Sequence, residues 1–411
     1  MIAAATRTDS ATSRAQTSAT AGATRPRLRL LMVTPRYLPY MGGVENHVAQ
    51  VARLLARDVD VTVLTTDTTD ALPAREVVEG VTVLRVRAWP PGRDYYFASR
   101  IHRTIVDGNW DLVHVQSYHT AVAPLAMIAS LRARIPYVLT FHGGGHSSPT
   151  RTALRGLQWR ALRPLLARAR KLIAVARFEA EQFSTVLRLP LDRFAVIPNG
   201  SDLPALSADE ASRLRASGRT VIVSVGRLER YKGHQRVIEA MPAVVRILPE
   251  CKLRIIGSGP YEPELVALVA RLGLGESVTI GAIPPADRLA MARALAESSL
   301  MVLMSEFETH PLAVIEALAL GRPALVADTS GLHEIAQSGL ARSIPLDSTA
   351  DELAAAIVDA LDHPRAVPMV RAPTWQECAS SLLEVYREVL PEPSSSGRGN
   401  AATPTSIKSD R

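Results

Sequence analysis

An α/β architecture of two parallel-sheet domains facing each other across a cleft is what this sequence predicts, on three observations. With 411 residues and 47% hydrophobic content, the chain exceeds what one core usually supports and carries enough apolar side chains for two. Short apolar runs alternate with stretches of helical periodicity, the pattern of strands joined by crossover helices and covered on both faces. The same rhythm then occurs a second time, after a polar stretch from Ser201 to Arg219.

In the first series, "LRLLMVTPRYLP" from Leu28 is an apolar run closed by Pro35 and Pro39, a buried strand running into a loop. "MGGVENHVAQVARLLAR" follows, with Val44, Val48, Val51, Leu54 and Leu55 at helical spacing, so Gly42 and Gly43 sit where strand turns into helix. "VDVTVLTT", "VTVLRV", "DLVHVQS", "IPYVLTFH", "KLIAVA" and "FAVIPNG" complete a domain expected over 27–203. The second series, "TVIVSVGRL", "CKLRIIGSG", "SVTIGAI", "SLMVLMS" and "RPALVAD", fills 204–373. "TWQECASSLLEVYREVL" is a lone amphipathic helix within 374–391, with Leu382, Leu383, Val385, Tyr386 and Val389 on its apolar stripe, expected to return to the first domain. Residues 1–26 and 392–411 are too polar to bury anything and are expected to be disordered tails, with a transit peptide the alternative for the first.

Composition narrows the function. Cys251 and Cys378 stand far apart without metal-ligand neighbours, which argues against a disulfide framework or zinc site and fits a reducing, cytoplasmic setting. The net charge of +7 suits anionic nucleotides or peripheral contact with an anionic membrane face. Aromatics are 5% and do not interleave with basic residues, so nucleic acid is not the expected partner. No apolar run reaches the roughly 18 residues of a membrane span.

Open parallel sheets bind ligands at the carboxyl ends of their strands, where the Gly-, Pro- and His-rich pieces fall. In "VSVGRLERYKG", Gly226 lets the chain turn while Arg227 and Lys232 place two cations beyond a strand end, as a diphosphate requires; solvated loop charges are the plain alternative. In "SEFETHPLAVIEALALGRPALVAD", Glu308 and Glu316 are separated by seven residues, and Pro311 can open a helix between them. Glu316 falls on an apolar helix and needs a polar partner, a ribose diol or an ion pair. Among weaker signals, "DVD" at Asp58 to Asp60 mimics a metal-binding D-x-D but enters an apolar strand, and "GSGP" lacks the third glycine of a dinucleotide fingerprint. His114 and His119 could line a cleft or be structural, and His47 reads as structural.

These two stretches, together with "MGGVE", "TFHGG", "VIPNGSD", "IIGSGP" and "SGLHE", resemble the family-4 glycosyltransferases from about Leu28 to Leu390. The resemblance implies the GT-B architecture of two Rossmann-like domains, a nucleotide diphosphate sugar as substrate rather than a cofactor, retention of anomeric configuration, and no catalytic metal. Position by position, it implies that Gly42 and Gly43 let backbone N–H groups approach the diphosphate and that Arg227 and Lys232 clamp it. It further implies that Glu308 contacts the transferred sugar and phosphate, that Glu316 holds the ribose, and that His142 lies at the reacting sugar. Gly257, Gly259 and Pro260 are expected in the nucleotide pocket, Asn199 and Gly200 near the hinge, and Gly331 and Leu332 by the phosphate loop. The chain departs from the family pattern at "THP": backbone donors now fall at Thr309, His310 and Leu312, Pro311 has none, and Leu312 and Ala313 are expected to donate. Ser201 replaces a usual apolar residue, and Ala176-Arg177 a usual serine.

Breaking the anomeric bond leaves negative charge on the diphosphate, so a metal-free enzyme neutralises it with Arg227, Lys232 and helix N-termini. A retaining hydrolase would instead need two carboxylates about 5 Å apart, and no second carboxylate is assigned there. The acceptor is expected to be a lipid-linked, polysaccharide or small polar hydroxyl compound chosen by the first domain. A sugar-nucleotide epimerase, a non-catalytic nucleotide-sugar-binding subunit and a nicotinamide-dependent dehydrogenase are the alternatives.

Overall fold

The computed structural model describes residues 27–390 apart from 41, 91–96, 144–148, 216, 217, 219, 366, 367 and 369. The expected tails therefore lie outside the described residues.

The first sheet holds β1 (Arg29–Val33), β2 (Asp60–Asp67), β3 (Arg75–Val78), β4 (Val81–Arg87), β5 (Leu112–Gln116), β6 (Tyr137–Thr140), β7 (Lys171–Ala174) and β8 (Phe194–Val196), in the order β3-β4-β2-β1-β5-β6-β7-β8. All neighbours pair in parallel except β3 with β4. That hairpin, absent from the sequence expectation, closes through Glu79 and Gly80, whose φ values of 49° and 83° are those of a tight turn matched to strand twist. Its strand "REVV" is too short and too charged to show a period.

The second sheet holds β9 (Val221–Val225), β10 (Lys252–Ile256), β11 (Val278–Gly281), β12 (Leu300–Leu303), β13 (Ala324–Ala327) and β14 (Arg342–Ile344), ordered β11-β10-β9-β12-β13-β14 and wholly parallel. Strand order reverses beside β1 in one sheet and beside β9 in the other. Those are the points at which doubly wound sheets open a crevice beyond their carboxyl ends.

Each β1 and β9 core residue is buried on both faces, which is why these strands read as continuous apolar runs rather than alternations. The second domain has one core of its own. The first has two, one per face of its sheet. The helix Trp375–Val389 belongs to the second of these: Trp375, Cys378, Leu382, Val385 and Tyr386 pack with Val48, Val51 and Leu55 of helix Gly43–Leu55. Thr374 starts it with a capping box closed by Glu377. Both crossings between the domains run side by side, the Ser201 N–H donating to the Pro373 carbonyl at 2.7 Å. Gly200 permits this, since a Cβ there would meet the Trp375 nitrogen at 2.2 Å.

Candidate active site

A cleft of about 820 Å³ opens between the carboxyl ends of the two sheets. The first domain contributes the loop after β1, with Gly42 and Gly43 opening helix Gly43–Leu55, and the loop after β6, with His142 and Gly143. From the second domain come Arg227, Tyr231 and Lys232 after β9, Gly259 and Pro260 after β10, and the segment from Phe307 to Leu312 after β12.

Lys232 reaches the cleft because the chain turns sharply behind it. Gly233 takes φ 75° and lies so close to the Met304 carbonyl that a Cβ would come within 1.8 Å of its oxygen. The turn delivers Nζ of Lys232 to 2.6 Å from Oε1 of Glu308, both side chains being largely buried. The Ser305 hydroxyl donates to the same oxygen at 2.9 Å, and the Glu308 N–H donates to the Ser330 hydroxyl at 2.8 Å. Glu308 is thus fixed in side chain and backbone. Arg227 is more open, 62% exposed, and pairs with Glu229.

Opposite them stands His142. Its Nε2–H donates to Oε1 of Gln116 at 2.7 Å, and its backbone holds a left-handed φ of 48°, unusual for a residue with a side chain. Burial, reinforced by the neighbouring His47, His114 and His119, holds its pKa well below the usual histidine value, so the ring is neutral. Glu179 supports the corner from below: one carboxylate oxygen accepts the Gly143 N–H at 2.5 Å and the other the Val175 N–H at 2.8 Å, while burial pushes its pKa up to about 7.

Of the residues singled out in the sequence, Gly42, Gly43, His142, Arg227, Lys232, Gly259, Pro260, Glu308 and Leu312 line this cleft, with His119, Asn199, Thr309 and His310. Gly257, Ala313 and Glu316 do not. Gly257 is a packing glycine instead, where a Cβ would meet the Gly226 carbonyl oxygen at 1.9 Å. Glu316 has protein partners: Arg288 at 2.5 Å and the Ser201 hydroxyl at 2.6 Å, both on Oε1, so the ion-pair alternative is the one seen and Ser201 is more than a small change. Burial nevertheless raises the Glu316 pKa against the pull of Arg288.

The expectation for the Leu312 N–H also needs correction. Pro311, at φ −77° and ψ 79°, makes an inverse γ-turn, and the Leu312 N–H donates to the His310 carbonyl at 2.9 Å. The Ala313 N–H remains in the first helical turn, whose donors lack intrahelical acceptors. His114 is structural, hydrogen-bonded between the Tyr386 hydroxyl and Thr140. His47 donates to Asn199 at 2.8 Å from a buried position. Asp60 opens β2 at the amino edge of the sheet, away from the cleft. Sequence reasoning passed over Arg36, Tyr40, Tyr231, Trp375 and Glu179, because nothing in periodicity separates a buried helical glutamate or a loop aromatic from its exposed neighbours.

Two family models account for most of the chain, "Glycosyltransferase Family 4" over residues 41–204 and "Glycosyl transferases group 1" over 207–371. The chain belongs to the family-4 glycosyltransferases. It is a glycosyltransferase. It is 28% identical over 395 residues to the D-inositol 3-phosphate glycosyltransferase of Nocardia farcinica, covering 85% of each chain. It is likewise 28% identical over 388 residues to the phosphatidyl-myo-inositol mannosyltransferase of Mycobacterium leprae, covering 88% of this chain and 97% of that one. Among solved structures, Anabaena HepE in complex with UDP and glucose superposes with a TM-score of 0.67 at 19% identity, over 88% of this glycosyltransferase and 99% of HepE. Sucrose-phosphate synthase from Thermosynechococcus elongatus has the same TM-score at 21% identity. The shared fold is GT-B.

Proposed function

We propose that this glycosyltransferase works without a metal and with retention, moving a hexosyl group from a nucleoside diphosphate to an acceptor hydroxyl. The observation that carries the reading is the Lys232–Glu308 pair, buried in the cleft wall of the second domain with the first domain's glycine loop and His142 also on the cleft. A diphosphate entering there draws the Lys232 ammonium away from Glu308 and takes Arg227 from Glu229. As the anomeric bond breaks, these two cations and the Gly43 amide compensate the charge that develops on the leaving phosphate. Glu308, released from Lys232, accepts from hydroxyls of the transferred sugar, and the leaving phosphate takes the acceptor proton on the same face. Glu316, to which the resemblance assigns the ribose, exchanges its Ser201 or Arg288 contact for that ribose.

The acceptor binds against the first domain. Inositol 3-phosphate and phosphatidylinositol are the first acceptors to assay, given what the two relatives are named for, and the lipid would place the enzyme peripherally at a cytoplasmic membrane face. None of the described helices is long and apolar enough to cross a membrane. The test is thermal melting with UDP-, GDP- and ADP-sugars in EDTA. At least one should raise Tm by several degrees. A shift seen only with Mn or Mg would overturn the metal-free mechanism, and no shift with any donor would overturn the site.

A further inference from the structure

His142 is anchored at three points. Its carbonyl accepts from His119 Nε2 at 3.2 Å, the following N–H at Gly143 is taken by Glu179, and its ring is held by Gln116 at 2.7 Å. The first two fix the backbone of a corner whose left-handed φ would otherwise relax. The third decides where the ring proton sits.

Gln116 is itself seated deep in the first domain. It alternates with His114 along β5, so both side chains leave the same face of the sheet. The Gln116 amide nitrogen lies 3.2 Å from both ring nitrogens of His114, which leaves its oxygen directed at His142. His114 bridges the Tyr386 hydroxyl at 2.6 Å and the Thr140 hydroxyl at 2.8 Å. Every member of this chain is buried. It runs from the helix Trp375–Val389, across two strands, to the cleft.

An amide oxygen only accepts hydrogen bonds, and a neutral imidazole has one N–H to give. We propose that Gln116 is a positioning residue that keeps the proton of His142 on Nε2, so that Nδ1 presents a lone pair to a hydroxyl of the transferred sugar. Nδ1 has no protein partner among the described residues, and His142 lines the cleft with 8% exposure. A glutamine is suited to this task in a way that a carboxylate is not, because it sets the tautomer without adding a charge that would draw a second proton onto the ring. The inference rests on the reading of His142 as facing the sugar, and it adds that the ring acts as an acceptor there.

The tautomer can be read without any substrate, from imidazole 15N shifts of the full chain labelled at histidine, with the His142 signals assigned by their loss in His142→Asn. The expected spectrum has distinct, pH-independent signals of the Nε2–H form from pH 5.5 to 8. An Nδ1–H form, or averaged shifts, in the unaltered protein would overturn the proposal. In Gln116→Met, an uncharged side chain of similar length, the signals should average or invert while those of buried His234 stay put, and turnover should fall about 10²-fold. In Gln116→Glu the proton should return to Nε2, because an acceptor is restored, and the ring should take its second proton at a higher pH than in the unaltered protein, because a charge is added. An unchanged tautomer in Gln116→Met with the fold intact would also sink the proposal. A protein with the expected tautomer that binds no nucleotide sugar would leave the positioning role standing and sink the site reading.

Discussion

Lys232 and Glu308 satisfy one another at 2.6 Å, so in the proposed mechanism the substrate detaches each before it acts. Glu308→Ala should therefore keep nucleotide binding while lowering turnover about 10²- to 10³-fold, the usual loss when a preorganised polar group is removed from a reacting centre. Equal binding and equal turnover in a coupled transfer assay would refute its role. Lys232→Ala should weaken both, and it should shrink the melting shift given by the best donor. Gly233→Ala belongs to the same scale. The new Cβ would lie 1.8 Å from the Met304 carbonyl oxygen at a φ of 75°, so urea unfolding should show a loss of at least about 1 kcal/mol and a displaced Lys232.

The helix Trp375–Val389 ties the end of the second domain's chain to the first domain's core. Leu382 is fully buried there, and Leu382→Ala should cost about 2–5 kcal/mol, read by denaturant unfolding, although the residue does not line the cleft. Its apolar stripe was legible in the sequence because period 3.6 survives in any helix that buries one face. The hairpin strand β3 was not legible. Its four residues take their pairing from β4 and from the turn at Glu79 and Gly80 rather than from a pattern of their own.

At the scale of the whole molecule, hydrogen bonds bridge the domains beside the cleft. The Thr309 hydroxyl meets the Gly143 carbonyl, and the Phe178 N–H donates to Glu334 at 2.8 Å. Glu334→Ala should favour a more open form, seen as a larger radius of gyration in scattering without ligand and a raised KM for donor; identical scattering would argue against a latch. Stability should also follow pH. Burial holds His47 and His234 at about 4 and His114 at about 3, all below the ordinary 6.5. The unfolded chain then binds more protons than the native one between about 4 and 6.5, so stability is full above 6.5 and is lost as pH falls through that window. Glu179 opposes this with a native pKa of about 7, its contribution being greatest at low pH and lost as pH rises through 7. Burial also holds His142 well below 6.5 and His310 at about 4, while it raises Glu316 alongside Glu179. Five histidines against two carboxyls leave a net fall in Tm on acidification below 6.5, and a flat profile would count against their burial as neutral rings.

The sequence by itself determined the two parallel sheets, the glycine turns and the cationic loop, because strand period, turn chemistry and local charge are written in consecutive residues. Only the tertiary structure decided that Glu316 finds Arg288, that Leu312 spends its N–H on His310, and that Glu179 and Gln116 support His142. Those contacts join positions tens of residues apart or depend on one backbone angle. Which buried polar group meets which is settled when the strands close into a sheet and every donor beneath the cleft must find an acceptor.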